Sequence, residues 1–234
     1  MDQARTLRKL LGQAHAVIHP ILGDLNSPFV GRLAQQVLVQ HAAQGDNALL
    51  FDAAPPVTPR YDLLDFFQGR RSLEDLVHSL DEQRHVVPAI KGLSALMMHP
   101  AEAPVLLNKL HRLPVTPDKL YATLSARAWE LACRFAPQDD WFWVVSPTSQ
   151  SVTDTFQAIR RASAICQQAQ HRIIVVGGRN ADEADHVYAS LLETTLGFLG
   201  KPLQYCGHIP SPHAHAALQR VARNVCAIES VAMD

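Results

Sequence analysis

Short runs of continuously apolar residues, separated by stretches with helical spacing, constrain this chain more than any other feature. Ala48-Leu49-Leu50-Phe51 closing on Asp52, Trp141-Phe142-Trp143-Val144-Val145 and Ile173-Ile174-Val175-Val176 show no polar alternation. Strands of that kind are buried on both faces, as in parallel sheets. Between the early runs, residues 30–43 repeat apolar side chains through Leu33, Val37, Leu38 and Ala42, and Gly45 ends the repeat. With Ala16-Val17-Ile18-His19 as a first strand, this gives a strand, helix, strand unit.

The alternation continues along the chain. Residues 63–80 read as two short helical pieces around Gly69, the second opened by Ser72 as N-cap with Asp75 three residues on. His85-Val86-Val87-Pro88 reads as a strand, residues 93–113 as mostly helix, residues 114–117 as a proline-marked break and residues 120–135 as helix. After the Trp141 strand come a helix over 153–168, a strand over 172–176, a helix over 181–199, a strand over 203–208 and a helix over 214–228. Such a pattern predicts an α/β fold, a doubly wound and mostly parallel sheet with helices on both faces.

At 234 residues and 47% apolar content the chain suits one α/β domain, assigned to residues 15–234, preceded by a short segment, residues 1–14. Twenty-one basic against twenty-two acidic residues argue against nucleic acid as a partner. Cys133, Cys166, Cys206 and Cys226 lack CxxC spacing, so neither zinc nor a disulfide framework is expected, and a reducing cytoplasm fits best. No apolar run approaches the roughly 18 to 20 residues that span a bilayer, and the N-terminus lacks the apolar stretch of a secretory signal.

Residues 2–11 place Ala4, Leu7 and Leu11 on one helical stripe with Arg5, Arg8 and Lys9 off it. A helix this short is marginal alone in water, which suggests a recognition segment. In open α/β sheets ligands bind beyond the carboxyl ends of strands. The first such loop runs Pro20-Ile21-Leu22-Gly23-Asp24-Leu25-Asn26-Ser27-Pro28-Phe29-Val30-Gly31 and leads into a helix.

In this layout the chain resembles the MinD/ParA P-loop ATPases. The resemblance continues through Tyr61-Asp62-Leu63-Leu64-Asp65, Gly69-Arg70-Arg71-Ser72-Leu73-Glu74-Asp75-Leu76 and Val87-Pro88-Ala89-Ile90-Lys91-Gly92-Leu93. It extends through Val144-Val145-Ser146-Pro147-Thr148-Ser149-Gln150-Ser151-Val152-Thr153-Asp154 and Tyr205-Cys206-Gly207-His208-Ile209-Pro210. Asp2-Gln3-Ala4-x-x-Leu7-Arg8 matches the motif of the FlhG (FleN) type within that group, which activates the GTPase FlhF, a signal-recognition-particle-type protein that helps place flagella. The resemblance implies that Gln3 enters the FlhF site and orients water or the groups that hold it. It further implies that Asp2 caps the helix, Ala4 and Leu7 anchor its apolar side and Arg8 makes a charged contact.

Relatives neutralise ATP phosphates with backbone N–H groups and two lysines. No lysine occurs here between Lys9 and Lys91. Counting back from Asp52, the family's lysine and threonine fall near Val30 and Gly31, and Pro28 removes an N–H. The Asp-rich switch strand expected before Val144 is not recognisable, and Gly177 stands where an adenine-reading Asn would. The expectation is therefore a pseudo-ATPase with no catalytic residues of its own, no metal and no cofactor, ATP included. Its degenerate loop comprises Gly23, Asp24, Asn26, Ser27 and Gly31, with Asp52 at a strand end as a capping or turn residue rather than a magnesium ligand.

His208, His213 and His215 are read as polar surface. The last helix, with Leu218, Val221, Val225 and Ile228 on one stripe, is expected to pack on the sheet, with membrane association left open. FlhF is the expected partner; a flagellar transcriptional regulator or a basal-body protein is the alternative, as is an ATP-switched, membrane-associated ATPase. The expected location is cytoplasmic, with the cell pole or inner membrane face reached through partners.

Overall fold

The computed structural model describes residues 17–55, 58–110, 113 and 115–231. The expected activating residues Asp2, Gln3, Ala4, Leu7 and Arg8 lie outside them. Eight strands form one sheet: β1 (His19–Gly23), β2 (Ala48–Asp52), β3 (His78–Ser79), β4 (Arg84–Pro88), β5 (Lys119–Ser125), β6 (Asp140–Val145), β7 (Gln170–Val176) and β8 (Gln204–Ile209). Their spatial order is β3-β4-β2-β5-β1-β6-β7-β8. Every pairing is parallel except β3 with β4.

The helices are α1 (Pro28–Ala43), α2 (Leu63–Phe67), α3 (Ile90–Met98), α4 (Ala103–Leu110), α5 (Trp129–Phe135), α6 (Ser149–Ile165), α7 (Ala181–Leu199) and α8 (His215–Val231). Alternation along each buried strand feeds two cores. On β6, Trp141, Trp143 and Val145 enter one layer with Leu93, Leu106, Leu131, Ile159 and Leu191 of α3 to α7. Phe142 and Val144 enter the other with Leu33 and Val37 of α1 and Leu218, Val221 and Val225 of α8. Leu218, Val221 and Val225 of the expected stripe thus pack on the sheet and on α1.

Large side chains are buried with their polar atoms satisfied. Trp141 Nε1 donates to the Ala136 carbonyl at 2.7 Å, and Trp143 Nε1 donates to His171 Nδ1 at 3.2 Å. Such pairing removes the cost of about 1–3 kcal/mol that an orphaned buried polar group carries.

Four expectations are corrected. Residues 120–135 are not one helix: Lys119–Ser125 is a strand between β2 and β1, followed by a 3-10 turn at Ala126–Ala128 and α5. Leu120, Tyr121, Ala122, Thr123 and Leu124 are buried there, and hydrogen bonding from a strand on each side overrides the helical spacing of Leu120 and Leu124. A strand thus precedes β6 in the chain, ending in Thr123-Leu124-Ser125, and it contains no aspartate.

The second helical piece within 63–80 is only a 3-10 turn at Glu74–Leu76, although Ser72 and Asp75 do exchange the expected capping bonds, each 3.2 Å. Beyond it His78–Ser79 pairs antiparallel with β4. The helix read over 93–113 begins at Ile90 and is broken at His99-Pro100, because Pro100 opens a separate 3-10 turn. Finally, β1 lies further along the chain than the reading over 16–19, so Gly23 belongs to the strand rather than to the loop.

Candidate functional site

The parallel strands β1, β2, β4, β5, β6, β7 and β8 end on the same edge of the sheet, where open α/β folds place their ligands. Between β1 and α1 only Asp24, Leu25, Asn26 and Ser27 remain. Two of the four amides of this turn, those of Asn26 and Ser27, are spent on its own oxygens. The Asp24 carboxylate accepts from Asn26 N at 3.0 Å, the Asp24 carbonyl accepts from Ser27 N at 3.0 Å, and Ser27 Oγ caps α1 by accepting from Phe29 N at 3.5 Å. Pro28 takes the first helical position. A phosphate cradle needs several N–H groups aimed outward together with positive charge. This loop has a carboxylate and no ammonium.

Val30 and Gly31 are the third and fourth residues of α1, in its first turn, and both are buried. A Cβ on Gly31 would stand 2.8 Å from the Ala54 carbonyl oxygen, so the glycine lets the segment after β2 close onto α1. A lysine at Val30 or a threonine at Gly31 would point into packed protein.

Asp52, at the end of β2, is 1% exposed. Its Oδ1 accepts from Ala54 N at 2.8 Å and from the Thr123 hydroxyl at 3.3 Å. Burial pushes its carboxyl above the usual range, opposed by hydrogen bonds from Ala54, Thr123 and Gln35. Thr123 Oγ1 in turn accepts from Ala53 N at 2.6 Å. Asp52 thus closes the turn that follows β2.

At the other side of the edge, Gly177 adopts φ +74°, a conformation that favours glycine, and its carbonyl accepts from His208 Nε2 at 2.7 Å. Asn180 stands three residues on, but its side chain accepts from Glu183 N at 2.9 Å and caps α7. Thr148 plays the same part for α6, accepting from Ser151 N at 3.2 Å. Arg32 crosses from α1 to the loop before α8, donating to the Pro212 carbonyl at 2.9 Å, with its Nη1 3.2 Å from His213 Nδ1.

The structure therefore brings Gly23, Asp24, Asn26, Ser27, Gly31 and Asp52 to one region, with Gly177 and His208 further along the same edge. Two participants were missed from sequence. Thr123 was hidden by the helical reading of its strand, and Arg32 has no local signal, since its partners lie 180 residues away. Among the described residues no group of three or more His, Cys, Asp or Glu is placed to hold a metal ion, and no helix is long and apolar enough to cross a membrane.

No family model matches the chain. It is 24% identical over 156 residues to the antiactivator FleN of Pseudomonas aeruginosa, a match covering 66% of this chain and 56% of FleN. The chain thus spans little more than half the length of the curated relative it matches. Among solved structures, the MinD cell division protein of Aquifex aeolicus superposes with a TM-score of 0.59 at 15% identity, covering 90% of this chain and 98% of that one. A plasmid partition protein of Borrelia burgdorferi bound to AMPPNP does so with a TM-score of 0.65 at 7% identity, covering 90% and 98%. The fold is that of MinD and of the plasmid partition proteins, and over two thirds of its length the chain is similar in sequence to FleN.

Proposed function

We propose that the chain regulates the placement or number of flagella by binding the GTPase FlhF and stimulating its GTP hydrolysis through residues 2–8, on a body that does not use ATP. The observation that carries the second half is the loop between β1 and α1. The Asn26 and Ser27 amides are spent internally, the loop carries Asp24, and no lysine lies between Lys9 and Lys91. The first half rests on the full match of Asp2-Gln3-Ala4-x-x-Leu7-Arg8 to the FlhG motif, together with the relation to FleN.

In GTPases of this kind hydrolysis is limited by placement of the attacking water and by charge on the transferred phosphoryl group. A partner side chain that organises the water raises the rate without any chemistry in its own domain. Gln3 has the needed groups, an amide that donates and accepts. The test is FlhF turnover in the presence of the chain, with Gln3→Ala as the comparison.

A second reading is favoured by one observation, the name antiactivator borne by the FleN relative. In that reading the body binds a flagellar transcriptional regulator. A pull-down of FlhF and of that regulator by the full chain separates the two, since each reading expects a different protein to be retained.

A further inference from the structure

A cleft of about 510 Å³ opens between residues 58–62, α2 and the start of α3, and its charges are unbalanced. Four cations line it: Arg60, Arg70, Arg71 and Lys91. Its two carboxylates are already committed. Asp62 accepts from Leu64 N at 3.0 Å, Lys91 N at 3.2 Å and Gly92 N at 2.7 Å, tying α2 to α3. Asp65 accepts from Asp62 N at 2.9 Å and pairs with Arg70 Nε at 2.8 Å.

That leaves Arg60, Arg71 and Lys91 without an ion-pair partner among the described residues. The Arg60 and Arg71 guanidinium carbons lie 5.2 and 4.2 Å from the centre of the Tyr61 ring, so one aromatic side chain contacts both exposed guanidiniums and biases their placement. Biasing a planar guanidinium lowers the entropy lost when it grips an oxyanion, and its paired N–H groups match phosphate oxygens two at a time.

We propose that this cleft binds a small phosphorylated anion through Arg60, Arg71 and Lys91, with Tyr61 contacting the two guanidiniums. A cleft of this volume is in the range of small-molecule sites. A single carboxylate would leave two cations uncompensated, whereas a phosphate or diphosphate matches the surplus. No residue of the β1 loop lines the cleft.

Isothermal titration of the full chain with inorganic pyrophosphate tests it, with ADP and citrate as parallel ligands. Expected is saturable pyrophosphate binding that weakens by about tenfold or more in Arg60→Gln and in Arg71→Gln, each still folded by circular dichroism, and is unchanged in Arg160→Gln on α6. ADP binding as tightly as pyrophosphate assigns the phosphate to a nucleotide; pyrophosphate binding alone assigns it to an inorganic source. Absence of binding to the unmodified chain, retention of full affinity in both cleft variants, or equal weakening in Arg160→Gln overturns the proposal. Citrate binding as tight as pyrophosphate overturns the phosphate assignment.

Discussion

Arg32, in the second turn of α1, donates to the carbonyl of Pro212 at 2.9 Å and so fastens α1 to the loop that precedes α8. The bond spans 180 residues of sequence and joins opposite ends of the chain across the carboxyl edge of the sheet. A net hydrogen bond of this kind contributes about 1 kcal/mol. Arg32→Ala should lower the melting temperature by roughly 2–4 °C, given the size of the domain. Thermal denaturation by circular dichroism measures it, and an unchanged midpoint would mean that the link adds nothing in solution.

Asp52 supplies a second test through Thr123. Truncation to alanine leaves Ala54 N without its acceptor and should cost about 1–3 kcal/mol. Asp52→Asn keeps an acceptor oxygen and removes the buried charge. Because burial raises the folded carboxyl pKa, the native state is favoured most at low pH and loses that contribution as pH rises. Asp52→Asn should therefore gain stability relative to the unmodified chain at pH 7 compared with pH 4, read from urea midpoints at the two pH values.

His171 is held neutral between Trp143 Nε1, which donates to its Nδ1, and Ser163 Oγ, 3.0 Å from its Nε2. Burial, with a lesser contribution from Lys201, lowers its pKa to about 3. Its stability contribution is complete above the unfolded histidine pKa near 6.5 and is lost as pH falls from there toward 3. His85, also lowered by burial, acts in the same direction. Urea unfolding across pH 7 to 4 should show a fall on the order of several kcal/mol, part of which disappears in His171→Phe. A pH-independent midpoint over that window would contradict the assignment.

The β1 loop predicts a failed repair. Restoring the family's residues as Val30→Lys with Gly31→Thr should not create ATP binding, because both positions are buried and a Cβ at Gly31 meets the Ala54 carbonyl at 2.8 Å. The double variant should instead be destabilised by several kcal/mol, as overpacking and a buried ammonium would require. Titration with a fluorescent ATP analogue reads the first outcome and urea unfolding the second; micromolar affinity in the variant would show that the loop can still open into a cradle.

The layers of the fold could be read from the sequence because most of its strands are unbroken apolar runs and its longer helices carry clear stripes. The helix over Ala181–Leu199 and the strand around Trp141 show this, the former matching to the residue. Lys119–Ser125 failed for the opposite reason: Leu120 and Leu124 fit helical spacing, and only the strands on either side, drawn from residues about 100 and about 70 positions away, decide the matter. The site was legible as loop composition, in the missing lysines and in Asp24. Its internal hydrogen bonds, the Asp52 to Thr123 contact and the Arg32 crossing depend on tertiary neighbours, and local sequence carries no trace of them.

The central claim concerns residues 2–8. The most direct test is the GTP turnover of FlhF with the full chain and with its Gln3→Ala variant, each shown to have the same thermal midpoint. Stimulation by the unmodified chain and its loss in Gln3→Ala, both without added ATP, is the predicted result. No stimulation, or equal stimulation by the two, would contradict the account.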